Sequence, residues 1–75
     1  MSMTRRRDVV SGQRFQPISS TAVWEVRELT RDAAGIQHAR LSRLGDPTAV
    51  KMIAVSALRD PRLYRLVPGE EPAQP

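Results

Sequence analysis

Apolar and polar residues alternate along two neighbouring segments in the middle of this chain. In residues 22–29 (AVWEVREL), Trp24 and Val26 fall on one side of an extended backbone and charged residues fall on the other. Residues 36–44 (IQHARLSRL) repeat the alternation, with Leu41 on the apolar side. A period of two is typical of β-strands that bury one face. The pattern therefore predicts two such strands.

A turn is predicted between these strands. Residues 31–35 (RDAAG) place an aspartate near the start and Gly35 at the end, a composition that favours a turn closed by a left-handed residue. The two strands then form an antiparallel hairpin. An isolated hairpin is not stable in water, so further strands or a covering helix must come from the rest of the chain.

The next segment, residues 45–60 (GDPTAVKMIAVSALRD), is compatible with either element. As a helix over 47–59, it would have Asp46 as N-cap and Pro47 as its first residue, which gives a ββα unit. As a turn followed by an extended run over 50–55, it would give a third strand. We favour the strand, because the β-branched residues of this run suit a pleated sheet.

The flanking segments complete a sheet. Residues 11–18 (SGQRFQPI) are predicted to form a first strand, with Pro17 marking an edge, and residues 63–67 (LYRLV) a last short strand. Between the last two strands, residues 56–60 (SALRD) are expected to form a single 3₁₀-like turn. The interpretation is an all-β, five-stranded body.

The order of these elements resembles the SH3-like small barrel found in Tudor and KOW modules. The resemblance is carried by WEV, HARL, MIAVSAL and YRLV and covers residues 11–67. The layout is also similar to that of short bacterial proteins to which no activity is attached. The chain lacks the acidic, aromatic-rich groove of peptide-binding SH3 domains and the glycine-centred KOW signature. The resemblance implies a fold, which does not by itself give a function.

The length and the charge of the chain limit its possible domain organisation. The 75 residues allow one domain, predicted over 9–67, with a disordered basic tail at 1–8 and a disordered Pro-rich tail at 68–75. Twelve Lys and Arg residues against eight Asp and Glu give a net charge of +4, and Lys51 is the single lysine. Without cysteine, signal sequence or an apolar run of membrane-spanning length, a cytoplasmic protein is expected.

Catalytic chemistry finds little support in the sequence. His38 is the single histidine and has no cysteine or second histidine at metal-ligand spacing. The serines lack a nucleophile elbow, and the glycines are isolated rather than grouped in a phosphate loop. We therefore predict a protein that is not an enzyme and that needs no metal or cofactor.

A binding role is the remaining hypothesis, and two partner classes stay open. A protein partner, with this chain as adaptor or accessory subunit, is favoured over a nucleic acid, because stacking aromatics are not interleaved with the arginines. Trp24 is expected at the centre of the core. Tyr64 is a candidate for a half-exposed groove, although packing beside Leu63 and Leu66 is the favoured interpretation. The predicted binding residues are Arg27, His38, Arg40, Arg43, Lys51 and Tyr64. No membrane contact is expected, and the oligomeric state stays open.

Pairing within the hairpin decides how these charges meet. We expect a register that sets Glu25 opposite Arg40 and Arg27 opposite His38, so that the charges compensate one another. A shift by two residues would set Arg27 opposite Arg40, and that repulsion would favour a bound anion.

Overall fold

The computed structural model describes residues 8–68, so the predicted tails lie outside the described residues except for Asp8 and Pro68 at their inner ends. The elements in chain order are β1 Arg14–Pro17, β2 Trp24–Arg31, β3 Gln37–Arg43, β4 Asp46–Ala54, α1 Val55–Leu58 and β5 Tyr64–Val67.

The five strands form one antiparallel sheet in the order β4-β3-β2-β1-β5. The first strand therefore lies between β2 and β5, and β4 and β5 are the two edges. The prediction of a small five-stranded β fold is confirmed. The sheet is not closed by hydrogen bonds between its edges, so the closed barrel is not confirmed.

The segment that was compatible with either element is a strand through Ala54, followed by one helical turn. Prediction and structure differ at its ends. Helix α1 is α-helical and begins at Val55, because both Val55 and Leu58 then turn into the core. The turn before β4 is formed by Leu44 and Gly45, with Gly45 at φ +91°. The expected GDPT turn is wrong.

From Trp24 to Val26, the hairpin of β2 and β3 pairs in the alternative register, shifted by two residues, and not in the expected one. Val26 lies opposite Leu41, but the next pair is Glu28 with Arg40, so Arg27 is the extra residue of a β-bulge. A bulge places one unpaired residue in β2 and shifts every later partner by one. The expected pairing of Glu25 with Arg40 is wrong, because Glu25 lies opposite Ser42. The bulge also prevents the Arg27–Arg40 pairing that the alternative register would otherwise make.

The core lies on one face of the sheet, which we call the inner face, and includes Val55 and Leu58 of α1. Val26, Leu41 and Leu58 are the largest fully buried side chains, and the cluster also contains Val9, Phe15, Ala39 and Val55. Trp24 is only half-buried and packs against this cluster from its border, so its expected place at the core centre is wrong. Within residues 8–68 no helix is long and apolar enough to cross a bilayer.

Candidate binding surface

The two faces of the sheet divide the predicted binding residues into two groups. Side chains of directly opposed residues share a face. Lys51 lies opposite Leu41, which is buried, so Lys51 belongs to the inner face. Arg40 lies opposite the exposed Met52 and belongs to the outer face.

On the outer face the arginines stand beside carboxylates. The Arg40 guanidinium lies 3.6 Å from the Glu28 carboxylate, its cross-strand neighbour. At the bulge, the Arg27 guanidinium donates to Glu25 at 3.2 Å. Exposed pairs of this kind add little stability, but each places an anion where a phosphate would have to sit. Because of the bulge, Arg27 and Arg40 do not lie opposite each other, and each is compensated by a glutamate.

His38 also faces an acidic neighbour. Its Nδ1 lies 4.0 Å from the Asp32 carboxylate, at the turn between β2 and β3. That carboxylate accepts the backbone N–H groups of Ile36 and Ala34, at 3.0 and 2.9 Å. The bond from Ile36 is the main reason that the pKa of Asp32 lies below its usual value. Asp32 thus acts chiefly as the organiser of the turn.

The second group meets at the inner face and includes two aromatic rings. The Lys51 ammonium lies 4.1 Å from the centroid of the Trp24 ring and 5.6 Å from that of Tyr64. Both distances are within the range in which a cation is attracted to an aromatic face. We call Trp24, Lys51 and Tyr64 the aromatic–lysine cluster. All three side chains are half-buried.

Three different strands contribute to this cluster. Trp24 begins β2 and lies opposite Phe15, Lys51 lies in edge strand β4, and Tyr64 begins the other edge strand, β5, opposite Pro17. A side chain from one edge therefore reaches a ring on the other edge. The sheet curls far enough for its two edges to come within side-chain reach.

A turn stabilised by Asp60 places Tyr64 at this position. The Asp60 carbonyl accepts the backbone N–H groups of Leu63 and Tyr64, at 2.9 and 3.1 Å. Its carboxylate accepts both the backbone N–H and the guanidinium of Arg62, and the side-chain bond is the main cause of the lowered pKa of Asp60.

The positive charge next to the cluster is not compensated within the described chain. Neither Lys51 nor Arg43 takes part in an ion pair among residues 8–68. Arg43 lies opposite Trp24 across the sheet and is exposed. Asp46, which faces Arg43 across the turn, instead accepts the Thr48 hydroxyl at 2.7 Å. Two cations thus remain available beside two aromatic rings.

Exposed aliphatic side chains border the Tyr64 side of the cluster. The Ile18 N–H donates to the Leu63 carbonyl at 2.9 Å, which joins the loop after β1 to the residue before Tyr64. Ile18 is 55% exposed and Leu63 is 49% exposed. Both residues were expected within strands, Ile18 at the end of residues 11–18 and Leu63 at the start of residues 63–67, and neither was expected in a binding surface. Ile18 directly follows β1, and Leu63 directly precedes β5. Residues just outside a strand end are commonly exposed, and this was the signal that could have placed both at the surface.

Residues 8–68 contain no group of three or more His, Cys, Asp or Glu side chains that could hold a metal ion. Among residues 8–68, Asp32 is the one carboxylate within ion-pair distance of His38.

Comparison with protein-family models, curated proteins and solved structures finds no match to this chain. Its function must therefore be inferred from the geometry of its own residues.

Proposed function

We propose that this protein is a non-catalytic binding module, an adaptor or accessory subunit, that binds an acidic segment of a partner protein at the aromatic–lysine cluster. The observation that carries the proposal is the Lys51 ammonium, held between the rings of Trp24 and Tyr64 with no carboxylate of residues 8–68 within ion-pair distance. A partner carboxylate would supply the missing countercharge.

Preorganisation favours binding at this position. A free lysine side chain loses rotamer entropy when a ligand fixes it, which costs about 0.5–1.5 kcal/mol. Lys51 is already half-buried and stacked on two rings, so part of that cost is met on folding. A charged hydrogen bond to a carboxylate is also stronger at a half-buried site than in water.

The residue types around Lys51 are those that dominate protein interfaces. Trp, Tyr and Arg are enriched among residues that carry most of the binding energy. Trp24 and Tyr64 lie beside the ammonium and Arg43 lies opposite Trp24, while the exposed Ile18 and Leu63 extend the surface with apolar area. An extended acidic segment with aliphatic side chains fits this combination.

The fold that we propose for the module is an SH3-like barrel. Three features support it: β1 lies between β2 and β5, a short helical turn precedes the last strand, and the two edge strands approach closely enough for Lys51 to contact Tyr64. Closure would then be made by side chains rather than by backbone hydrogen bonds.

A nucleic acid is the competing partner class. The aromatic–lysine cluster and Arg43 favour it in one respect, because stacking rings next to cations are the usual means of holding a single strand. The outer-face arginines do not favour it, since Glu28 and Glu25 already stand beside Arg40 and Arg27.

Affinity capture from host extract, with and without nuclease, separates the two classes. The proposal expects a stoichiometric protein that survives nuclease treatment and is lost with the Lys51→Glu and Tyr64→Ala variants. Arg40→Glu is the matched control, because it reverses a charge on the opposite face and should leave capture unchanged. Recovery that nuclease abolishes, or capture lost with Arg40→Glu but kept with Lys51→Glu, would contradict the proposal.

A further inference from the structure

Two adjacent glutamates, Glu70 and Glu71, follow strand β5 in the sequence, just beyond the described residues. Lys51 and Arg43, at the aromatic–lysine cluster, take part in no ion pair among residues 8–68. The chain therefore contains two adjacent carboxylates whose charge matches that of the two uncompensated cations.

The other acidic side chains are unsuited to this role. Within residues 8–68, Glu25, Glu28 and Asp60 are paired with arginines, Asp46 accepts a hydroxyl hydrogen bond, and Asp32 accepts backbone N–H groups. Asp8 makes no ion pair with either of the two cations. Glu70 and Glu71 are the acidic residues that remain.

The sheet register places the end of β5 close to the cluster. Leu66 lies opposite Phe15, which in turn lies opposite Trp24, so Leu66 and Trp24 are at the same level, two strands apart. Neighbouring strands are about 4.8 Å apart, which separates the two Cα atoms by about 10 Å. Because Phe15 is buried, both residues belong to the inner face. The chain thus leaves β5 beside the level of the tryptophan.

The chain between β5 and the glutamates is long enough to reach the cluster. Pro68 directly follows β5 and lacks a backbone N–H, so it does not continue the strand pairing. Pro68-Gly69 is a dipeptide that is typical of turns. Glu70 comes after Leu66 by a length of chain that spans up to about 13 Å, at about 3.3 Å per residue. Its carboxylate can therefore reach the Lys51 ammonium while the described residues keep their positions.

We propose that Glu70 and Glu71 bind the aromatic–lysine cluster of their own chain, and that an acidic partner segment must displace them. The Lys51 ammonium donates to one carboxylate, and Arg43 supplies the second positive charge. Leu66, 50% exposed on the inner face, provides an apolar surface between the end of β5 and Trp24. The competition with a partner rests on the proposed function, whereas the internal contact rests on charge and reach alone.

The contact is expected to be weak and to gain from the short connection. A short linker holds a tethered group at an effective concentration on the order of millimolar. Ion pairs near the surface are weak, so a contact of about millimolar strength occupies about half of the chains. The apparent Kd of a competing segment is then raised about twofold.

A spin label tests the internal contact, because the chain has no cysteine and Ala73→Cys carries a single label. In the full-length labelled chain, the Trp24 indole N–H signal should be broadened. The changes Glu70→Gln and Glu71→Gln together should reduce the broadening, as should high salt, which screens the charges. Glu70→Asp with Glu71→Asp is the matched control, which keeps both charges and should leave the broadening unchanged. Equal broadening in the glutamine and aspartate variants would overturn the proposal.

The basic residues 5–7 are the alternative internal partner of the glutamates. Lys51→Met with Arg43→Gln should remove the charge-dependent part of the broadening, and glutamine at residues 5–7 should preserve it. The reverse result, with dependence on residues 5–7 and none on Lys51 and Arg43, would overturn the proposal.

Titration with a glutamate-rich peptide separates this inference from the proposed function. The glutamine variant at positions 70 and 71 should bind the peptide about twofold more tightly than wild type. Equal affinities would overturn the competition and leave the proposed function intact. Peptide binding by neither chain, with the charge-dependent broadening preserved, would contradict the proposed function and support the internal contact.

Discussion

Removal of the Lys51 charge should destabilise the fold, although Lys51 lies near the surface. The change Lys51→Met keeps the apolar stem and removes the ammonium that lies 4.1 Å from the Trp24 centroid and 5.6 Å from the Tyr64 centroid. A cation over an aromatic face contributes about 0.5–1 kcal/mol at an exposed site and about 2 kcal/mol when desolvated. Lys51 is half-buried, and Tyr64 is near the limit of the effective range, so we expect a loss of about 1 kcal/mol.

The assay is chemical unfolding followed by far-ultraviolet circular dichroism, with a double-mutant cycle to isolate the contact. In a domain of this size, about 1 kcal/mol lowers the melting temperature by about 4–8 °C. The coupling energy of Lys51→Met with Trp24→Leu should exceed its coupling with Tyr64→Leu, because the tryptophan ring is closer. Lys51→Arg is the control that keeps a cation at the position.

Two results would refute this reasoning. One is a Lys51→Met protein that is as stable as wild type or more stable. The other is zero coupling with Trp24→Leu, which would mean that the ammonium and the ring lie side by side without a measurable interaction.

Three further predictions concern the fold itself. Leu58→Ala should cost about 2–5 kcal/mol in the free energy of unfolding, because Leu58 is 2% exposed, and a loss under 1 kcal/mol on chemical unfolding would contradict its place in the core. Gly45→Ala should cost about 1–2 kcal/mol from backbone strain alone, since φ is +91° and a Cβ would meet no atom within 4 Å, so an unchanged thermal melt would disprove the turn geometry. Asp32 has a lowered pKa in the folded state, so it contributes stability above its usual pKa of 3.8, and that contribution is lost as the pH falls through the folded value. The stability difference between wild type and Asp32→Asn, measured from pH 6 to pH 2, should therefore shrink on acidification, and a difference independent of pH would count against the turn described for Asp32.

The strands could be predicted because local pattern and burial agree along most of the chain. Alternation around Val26 and Leu41 marks a strand pair in the sequence, and the structure places these two residues opposite each other and fully buried. The β-branched run that includes Val50 and Ile53 favours a strand over a helix, and β4 is extended there. Alternation and β-branched runs are patterns among residues that are neighbours along the chain, so they can be recognised in a single sequence.

The errors arise where tertiary contacts override local pattern. Nothing adjacent to Arg27 signals the bulge, which shifts the pairing of Glu28 with Arg40 by one residue. Trp24 alternates with Val26, and alternation alone cannot distinguish the centre of a sheet from its border. The expected turn over residues 45–48 (GDPT) is wrong because Gly45, with its positive φ, completes the turn with Leu44, and β4 already begins at Asp46.

The candidate site was predicted in part. Arg43, Lys51 and Tyr64 are in the predicted binding set, and the structure places Arg43 opposite Trp24 and the Lys51 ammonium beside the rings of Trp24 and Tyr64. Their assembly depends on the curl that brings β4 and β5 together, which no local pattern contains. Cations and aromatic rings are not adjacent along the sequence, and they come together only when the chain folds.

The most direct test of the proposed binding site is the nuclear magnetic resonance signal of the Trp24 indole N–H during titration with a glutamate-rich peptide. This chain has one tryptophan, so the signal needs no assignment. We expect a saturable shift in wild type, an unchanged response in Arg40→Gln, and loss of the shift in Lys51→Met. If the indole signal of the wild-type chain does not move while the resonances of Arg40 and His38 shift, binding takes place on the opposite face, and the account is contradicted.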